Sequence, residues 1–118
     1  MTYSKRESQK LLKYWQNVLR LNDWTIILNY NCSPCDMLLK DVEGETEYTE
    51  SIKTAYIRII DKKYYGERIV PFDFEKVLVH ELLHLKFSLL NSENELQNRI
   101  VHQIIEDMAK ALIEAYRI

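Results

Sequence analysis

Val77-Leu78-Val79-His80-Glu81-Leu82-Leu83-His84-Leu85 is an apolar run broken by only three polar side chains, and their spacing decides how the rest of the chain is read. On an α-helix, residues four apart lie on one face, so His80 and His84 can close on a single metal ion. Glu81, about 100° round the axis, flanks them. A core histidine satisfied by a backbone carbonyl explains one buried polar residue, but not three in this register. The pattern reads as two imidazole ligands and a carboxylate base. It also demands a central helix, because apolar positions continue through Phe87 and Leu89 nearly all the way round.

Working outward, Pro71-Phe72-Asp73 sets the start of that helix, with Asp73 as N-cap and Glu75 near the positive end of the helix dipole. Asn91 ends it, and Ser92-Glu93-Asn94-Glu95 has the capping-box form that opens another helix. Leu96, Ile100, Val101, Ile104, Ile105, Met108, Leu112 and Ala115 carry this last helix nearly to Ile118. With Ile104 at the centre of its apolar arc, His102 and Glu106 fall about 160° to either side, next to Ala109 and Ile113. The small Ala109 would let the two helices approach, and a hairpin at Asn91-Ser92 would return His102 and Glu106 over His80 and His84. A catalytic zinc takes three protein ligands and keeps a position open. His102, the last of the three histidines, is the natural third ligand. Glu106 would then accept a ring N–H from a ligating histidine and fix its tautomer. The alternative exchanges the two roles, with Glu106 ligating through oxygen.

Before the motif, Ser4-Lys5-Arg6-Glu7 is another capping box, and Leu11, Leu12, Trp15, Val18 and Leu19 predict an amphipathic helix from 4 to about 21. Its other face carries Lys5, Arg6, Lys10, Lys13 and Arg20 against Glu7, five positive charges less one negative, a net of +4. Such a face is either solvated or a contact for a phosphate backbone or an acidic partner. Trp24 to Tyr30 alternates as a half-buried strand, and Asp36 to Val42 reads as loose pairing or loop. Glu43 to Ile52 alternates again, with Glu43, Glu45 and Glu47 on one side. Such a strand belongs with one face in water, its charges opposing edge aggregation or drawing basic substrates. Thr54 to Ile60 is the third strand, joined to the acidic one as an antiparallel hairpin, although no Gly marks the turn. Asp61 to Val70 reads as a loop near the mouth of an active site. Cys32-Ser33-Pro34-Cys35 has no second pair to complete a zinc site and no following helix pattern, so its cysteines read as reduced residues in a turn set by Pro34.

The chain has 118 residues, 47% apolar and 29% charged, which fits one domain (1–118) of ordinary globular composition without repeats or linkers. A net charge of −2 predicts no strong attraction of the whole molecule to nucleic acid or anionic membrane. The first residues contain no apolar core of a signal peptide and no later run is long and uncharged enough to span a bilayer, so the expected location is cytoplasmic. The expected fold class is α+β. It comprises an N-terminal helix, a small three-stranded, mainly antiparallel sheet, the motif helix and a C-terminal helix.

His80-Glu81-Leu82-Leu83-His84 resembles the signature of the zincin metallopeptidases. The order of helix, small sheet, motif helix and second helix resembles the minimal gluzincin-like and SprT-like domains, including small metallopeptidases of phage and mobile elements. The resemblance implies a Zn²⁺-dependent metallopeptidase acting on peptide or protein substrates. In it, zinc-activated water attacks the peptide bond, Glu81 is the general base, and His80 and His84 are zinc ligands. Gluzincins take the third ligand from a Glu on the following helix, with an acidic residue one turn later against a motif His. His102 and Glu106 match that arrangement with His in the ligand's place, closer to SprT-like usage. Leu85-Lys86-Phe87-Ser88 lacks the continuation of a metzincin. In zincins a sheet strand, often at the rim, binds extended peptide, and here Thr54 to Ile60 and the acidic strand are the candidates. Tyr56, Tyr64 and Tyr65 are chemically able to stabilise an oxyanion. Two other readings remain: a zincin-fold zinc-binding module with a binding or regulatory role and no proteolysis, and a nucleic-acid-associated protein acting through the basic first helix.

Overall fold

In the computed structural model, which describes residues 3–118, the Ser4 hydroxyl accepts the Glu7 N–H and the Glu7 carboxylate accepts the Ser4 N–H, each at 3.1 Å. This capping box opens helix α1, Lys5–Val18. The helix stops short of residue 21 because Arg20 takes a left-handed conformation (φ 59°), after which Leu21 and Trp24 turn into the core. Lys5, Arg6, Lys10, Lys13 and Arg20 are exposed.

Three strands follow: β1 (Thr25–Cys32), β2 (Gly44–Thr49) and β3 (Thr54–Ile60). They form one sheet in the order β1-β3-β2. The expected antiparallel hairpin joins β2 to β3, with Lys53 itself taking the left-handed turn position (φ 46°) that a glycine would otherwise fill. β1 runs parallel to β3, so the sheet is mixed. The order follows from composition: β3, with Ala55, Ile57, Ile59 and Ile60 all buried, takes the centre, and the charged β2 takes an edge. The acidic row of β2 is not wholly in water, as its pattern predicted. Glu45 is only 5% exposed, and its carboxylate accepts the N–H groups of Leu38 and Leu39 at 2.9 Å and Arg58 Nη1 at 3.1 Å. That contact pins the 36–42 segment, whose structure the sequence left open, against β2. Pro34 starts a short 3-10 turn as expected, and Cys32 (buried) and Cys35 (exposed) are both free thiols.

Helix α2 (Phe74–Lys86) is capped by Asp73, which accepts the Lys76 N–H at 3.2 Å. Val77, Leu78, Val79, Leu82, Leu83 and Leu85 are buried, so the helix is the central element its sequence requires. It ends at Lys86 rather than running to Asn91, because Ser88–Leu90 tightens into a 3-10 turn. Helix α3 (Glu95–Tyr116) is capped by Asn94, not Ser92: Asn94 accepts the Gln97 N–H at 2.9 Å, while the Ser92 hydroxyl accepts the Asn94 N–H. The core face of α3 is Ile105, Ala109 and Ile113. Leu96, Ile100, Ile104 and Met108, which the sequence placed on the buried arc, stand exposed, because α3 turns the side bearing Ala109 toward α2. Among the described residues no helix is long and apolar enough to cross a membrane.

The first turn of α2 is tied to both ends of the chain. Trp15 Nε1 donates to Glu75 at 2.7 Å, and Arg117 donates to Asp73 at 2.6 and 2.9 Å and to Glu75 at 3.2 Å. Glu75 is buried, so removing its closest donor leaves a carboxylate partly unsatisfied. Trp15→Phe is expected to lower stability by about 1–3 kcal/mol in urea unfolding, and an unchanged midpoint would show that Arg117 alone satisfies Glu75.

Candidate metal centre

His80 and His84 lie four positions apart on α2, and the helix brings their rings side by side, tilted, with centroids 5.1 Å apart. His84 Nε2 lies 3.3 Å from His80 Nε2. Two nitrogens bound at about 2.05 Å to one tetrahedral ion are separated by roughly 3.3 Å, so this edge of the site already has the dimension zinc requires. His102 comes in from α3, its ring centroid 5.0 Å from that of His80 and 5.7 Å from that of His84. One nitrogen from each of the three rings lies within 4.8 Å of the other two. His102 is the exposed member and the one free to close the remaining distance.

Glu106, one turn after His102, is on the other side of His80. The His80 Nδ1–H donates to Glu106 Oε2 at 2.7 Å, which leaves Nε2 as the nitrogen facing the other histidines. The second Glu106 oxygen is held by Lys76 Nζ at 3.1 Å. Burial pushes the Glu106 carboxyl up, but Lys76 and His80 outweigh it and hold the group below its usual range. Both oxygens thus have partners behind His80, and the histidines, not Glu106, make up the cluster that a metal could occupy.

The electrostatics suit a cation. Burial lowers the pKa of His80 in spite of Glu106, and burial together with the neighbouring imidazoles brings His84 down to about 4. Both rings are therefore neutral near pH 7 and have lone pairs to offer. Three imidazole nitrogens on the wall of an open cleft match the donor set of a zinc site that keeps one position open, and the residues present fit that ion.

Glu81 faces the same cleft and is 6% exposed. Its Oε1 accepts the Thr46 hydroxyl at 2.7 Å. Burial pushes its pKa up to about 7, opposed by the Thr46 bond and reinforced by Glu45, Glu43 and Glu106. The cleft, about 440 Å³, runs between β2 on one side and α2 and α3 on the other, with Gly44, Thr46, Tyr48, Val77 and the three histidines in its walls.

The structure thus brings together all five residues singled out in the sequence: His80, Glu81, His84, His102 and Glu106. Tyr56, Tyr64 and Tyr65 do not line the cleft, and the Tyr65 hydroxyl is spent on the Val70 carbonyl at 2.6 Å; Tyr48 is the tyrosine in its wall. The 61–70 loop lines an adjoining groove through Lys62 and Val70, not the cleft itself. Thr46 and Lys76 were not anticipated. Lys76 lies four residues before His80, on the same helix face, so its spacing could have shown it. Thr46 carried only the weaker signal of alternation, which sets it opposite the acidic row.

Comparison of the chain with protein-family models, with curated proteins and with solved structures finds no match. The ligand assignment is tested by zinc affinity in competition with a chelator. His102→Ala is expected to weaken zinc more than Glu106→Ala, for which loss of an orienting partner costs about 10–100-fold. The reverse order would make Glu106 the ligand.

Proposed function

We propose that the chain is a zinc-dependent metallopeptidase of minimal zincin type, acting on peptide or protein substrates in the cytoplasm. One observation carries the reading: a buried carboxylate, Glu81, on the same cleft as three imidazole nitrogens within 4.8 Å of one another. Unpaired Cys32 and Cys35 agree with a reducing compartment. Exposed Lys5, Arg6, Lys10 and Lys13, in no ion pair among the described residues, would be the surface for any nucleic-acid contact. They sit on α1, which packs by β1 and α2, while the cleft opens along β2.

His80, His84 and His102 would hold the zinc. When bound, zinc supplies a Lewis acid that lowers the pKa of water, polarises the scissile carbonyl and by its charge favours ionised Glu81. Glu81 takes the proton of the attacking water and passes it to the leaving amine, so the same group acts first as base and then as acid. Glu106 keeps the His80 ring in the tautomer that leaves Nε2 free.

Of the two candidate strands, only β2 is open to an added substrate strand. β3 is central and paired on both sides, which removes it as a candidate, and β2 is an edge. Ile60 N–H donates to Glu43 O, so Glu43, Glu45, Glu47 and Thr49 bond to β3, and the backbone groups of Gly44, Thr46 and Tyr48 point to the open edge. All three line the cleft beside Glu81, together with Glu45. An extended peptide added there would lie across the three histidines.

Glu81→Gln keeps the shape of the side chain and removes its basicity. The zinc-loaded variant is expected to retain its metal and to lose about 10²–10⁴-fold in kcat on a peptide that the wild type cleaves. Unchanged turnover would rule out Glu81 as the base. A wild type that holds zinc but cleaves nothing in a broad peptide library would point instead to a binding or regulatory module.

A further inference from the structure

A glutamate side chain has three rotatable bonds, and a general base has to be held in reach of the proton it takes. Among the described residues a single side chain holds Glu81: the Thr46 hydroxyl, 2.7 Å from Oε1. The hydroxyl has one proton. The competing acceptor, the Glu81 carbonyl, is 3.5 Å away and already belongs to the ladder of α2, so the proton goes to the carboxylate. Oε2 has no hydrogen-bond donor, yet no buried side-chain oxygen among the described residues lacks a partner. Oε2 is therefore not fully shut off from solvent and, on a residue that lines the cleft, is the oxygen left without a partner.

The contact depends on how closely β2 approaches α2. A Cβ on Gly44 would fall 2.8 Å from Val77 Cγ1 and 3.2 Å from Glu81 Cγ and Oε2. Only glycine lets the strand lie this near the helix at the level of the base. Two residues on, Thr46 points its side chain the same way, to Glu81, while its backbone N–H and C=O point along the sheet to the open edge. One residue thus faces both the base and the place where a peptide strand would add.

We propose that Thr46 is the positioning residue of the general base: its hydroxyl fixes the Glu81 carboxylate while its backbone receives the substrate, so that the distance between base and scissile bond is set within one residue of β2. Gly44 permits the approach that makes this possible. The inference rests on the peptidase reading given above.

It separates binding from turnover. Thr46→Val keeps the backbone, the volume and the burial of the side chain and removes only the donor. In the full-length, zinc-loaded protein, acting on a fluorogenic peptide selected with the wild type, kcat is expected to fall on the order of 10²-fold with KM and zinc content unchanged, and Thr46→Ser, which restores the hydroxyl, to return within about threefold of wild type. Thr46→Ala is the second hydroxyl-free variant should Thr46→Val not fold. Wild-type kcat in the hydroxyl-free variant, or no recovery with Thr46→Ser, overturns the proposal. A crystal structure of the hydroxyl-free variant decides the matter without activity. The Glu81 carboxylate is expected to leave its native rotamer, and an unmoved carboxylate overturns the role of Thr46 even if the wild type cleaves no peptide. Failure of the wild type to cleave falls on the peptidase reading, and an unmoved Glu81 falls on Thr46.

Discussion

Three polar side chains on the buried helix α2, Glu75, His80 and Glu81, are each met by a partner from another element, and those contacts tie the fold together. Glu75 is met by Trp15 of α1 and by Arg117 at the end of the chain. His80 is met by Glu106 of α3, and Glu81 by Thr46 of β2. Each of these groups would be costly to bury alone. Each partner also fixes the position of the element that carries it. The polar interior that gives the cleft its chemistry is thus also a set of cross-links between the helices and the sheet.

The same arrangement sorts charge around the histidines. His80 and His84 are buried enough to stay neutral, while the one carboxylate that would compete as a ligand, Glu106, is drawn away by Lys76 and the far nitrogen of His80. Glu81 is buried beside them on α2, where burial first and then the neighbouring Glu45, Glu43 and Glu106 raise its pKa to about 7. Three imidazoles, one raised carboxyl and one carboxylate neutralised from behind leave room for a cation at the centre.

Much of this was legible in the sequence, because the signals were local. The Ser4–Glu7 capping box, the bounds of β3, the Asp73 cap and the one-turn spacings His80/His84 and His102/Glu106 depend only on helix and strand periods, and all are present. Ala109, as the small residue between helices, correctly marked the side of α3 that meets α2. What local pattern could not decide was which of two apolar faces of α3 the core would use. Ile104 and its neighbours outnumber the residues around Ala109, yet close approach of the helices favours the smaller face. The parallel pairing of β1 with β3 and the burial of Glu45 likewise depend on where distant segments return. Thr46 is hidden for the same reason: its partner is 35 residues away in sequence.

The central claim is a metal centre of three histidines with Glu106 behind it. X-ray absorption at the zinc edge of the purified, metal-loaded protein tests it most directly, together with metal content. Near-stoichiometric zinc with three imidazole ligands and one light-atom ligand at about 2.0–2.1 Å is the expected result. Absence of tightly held zinc, or a shell with only two imidazoles and added carboxylate oxygen, would contradict it.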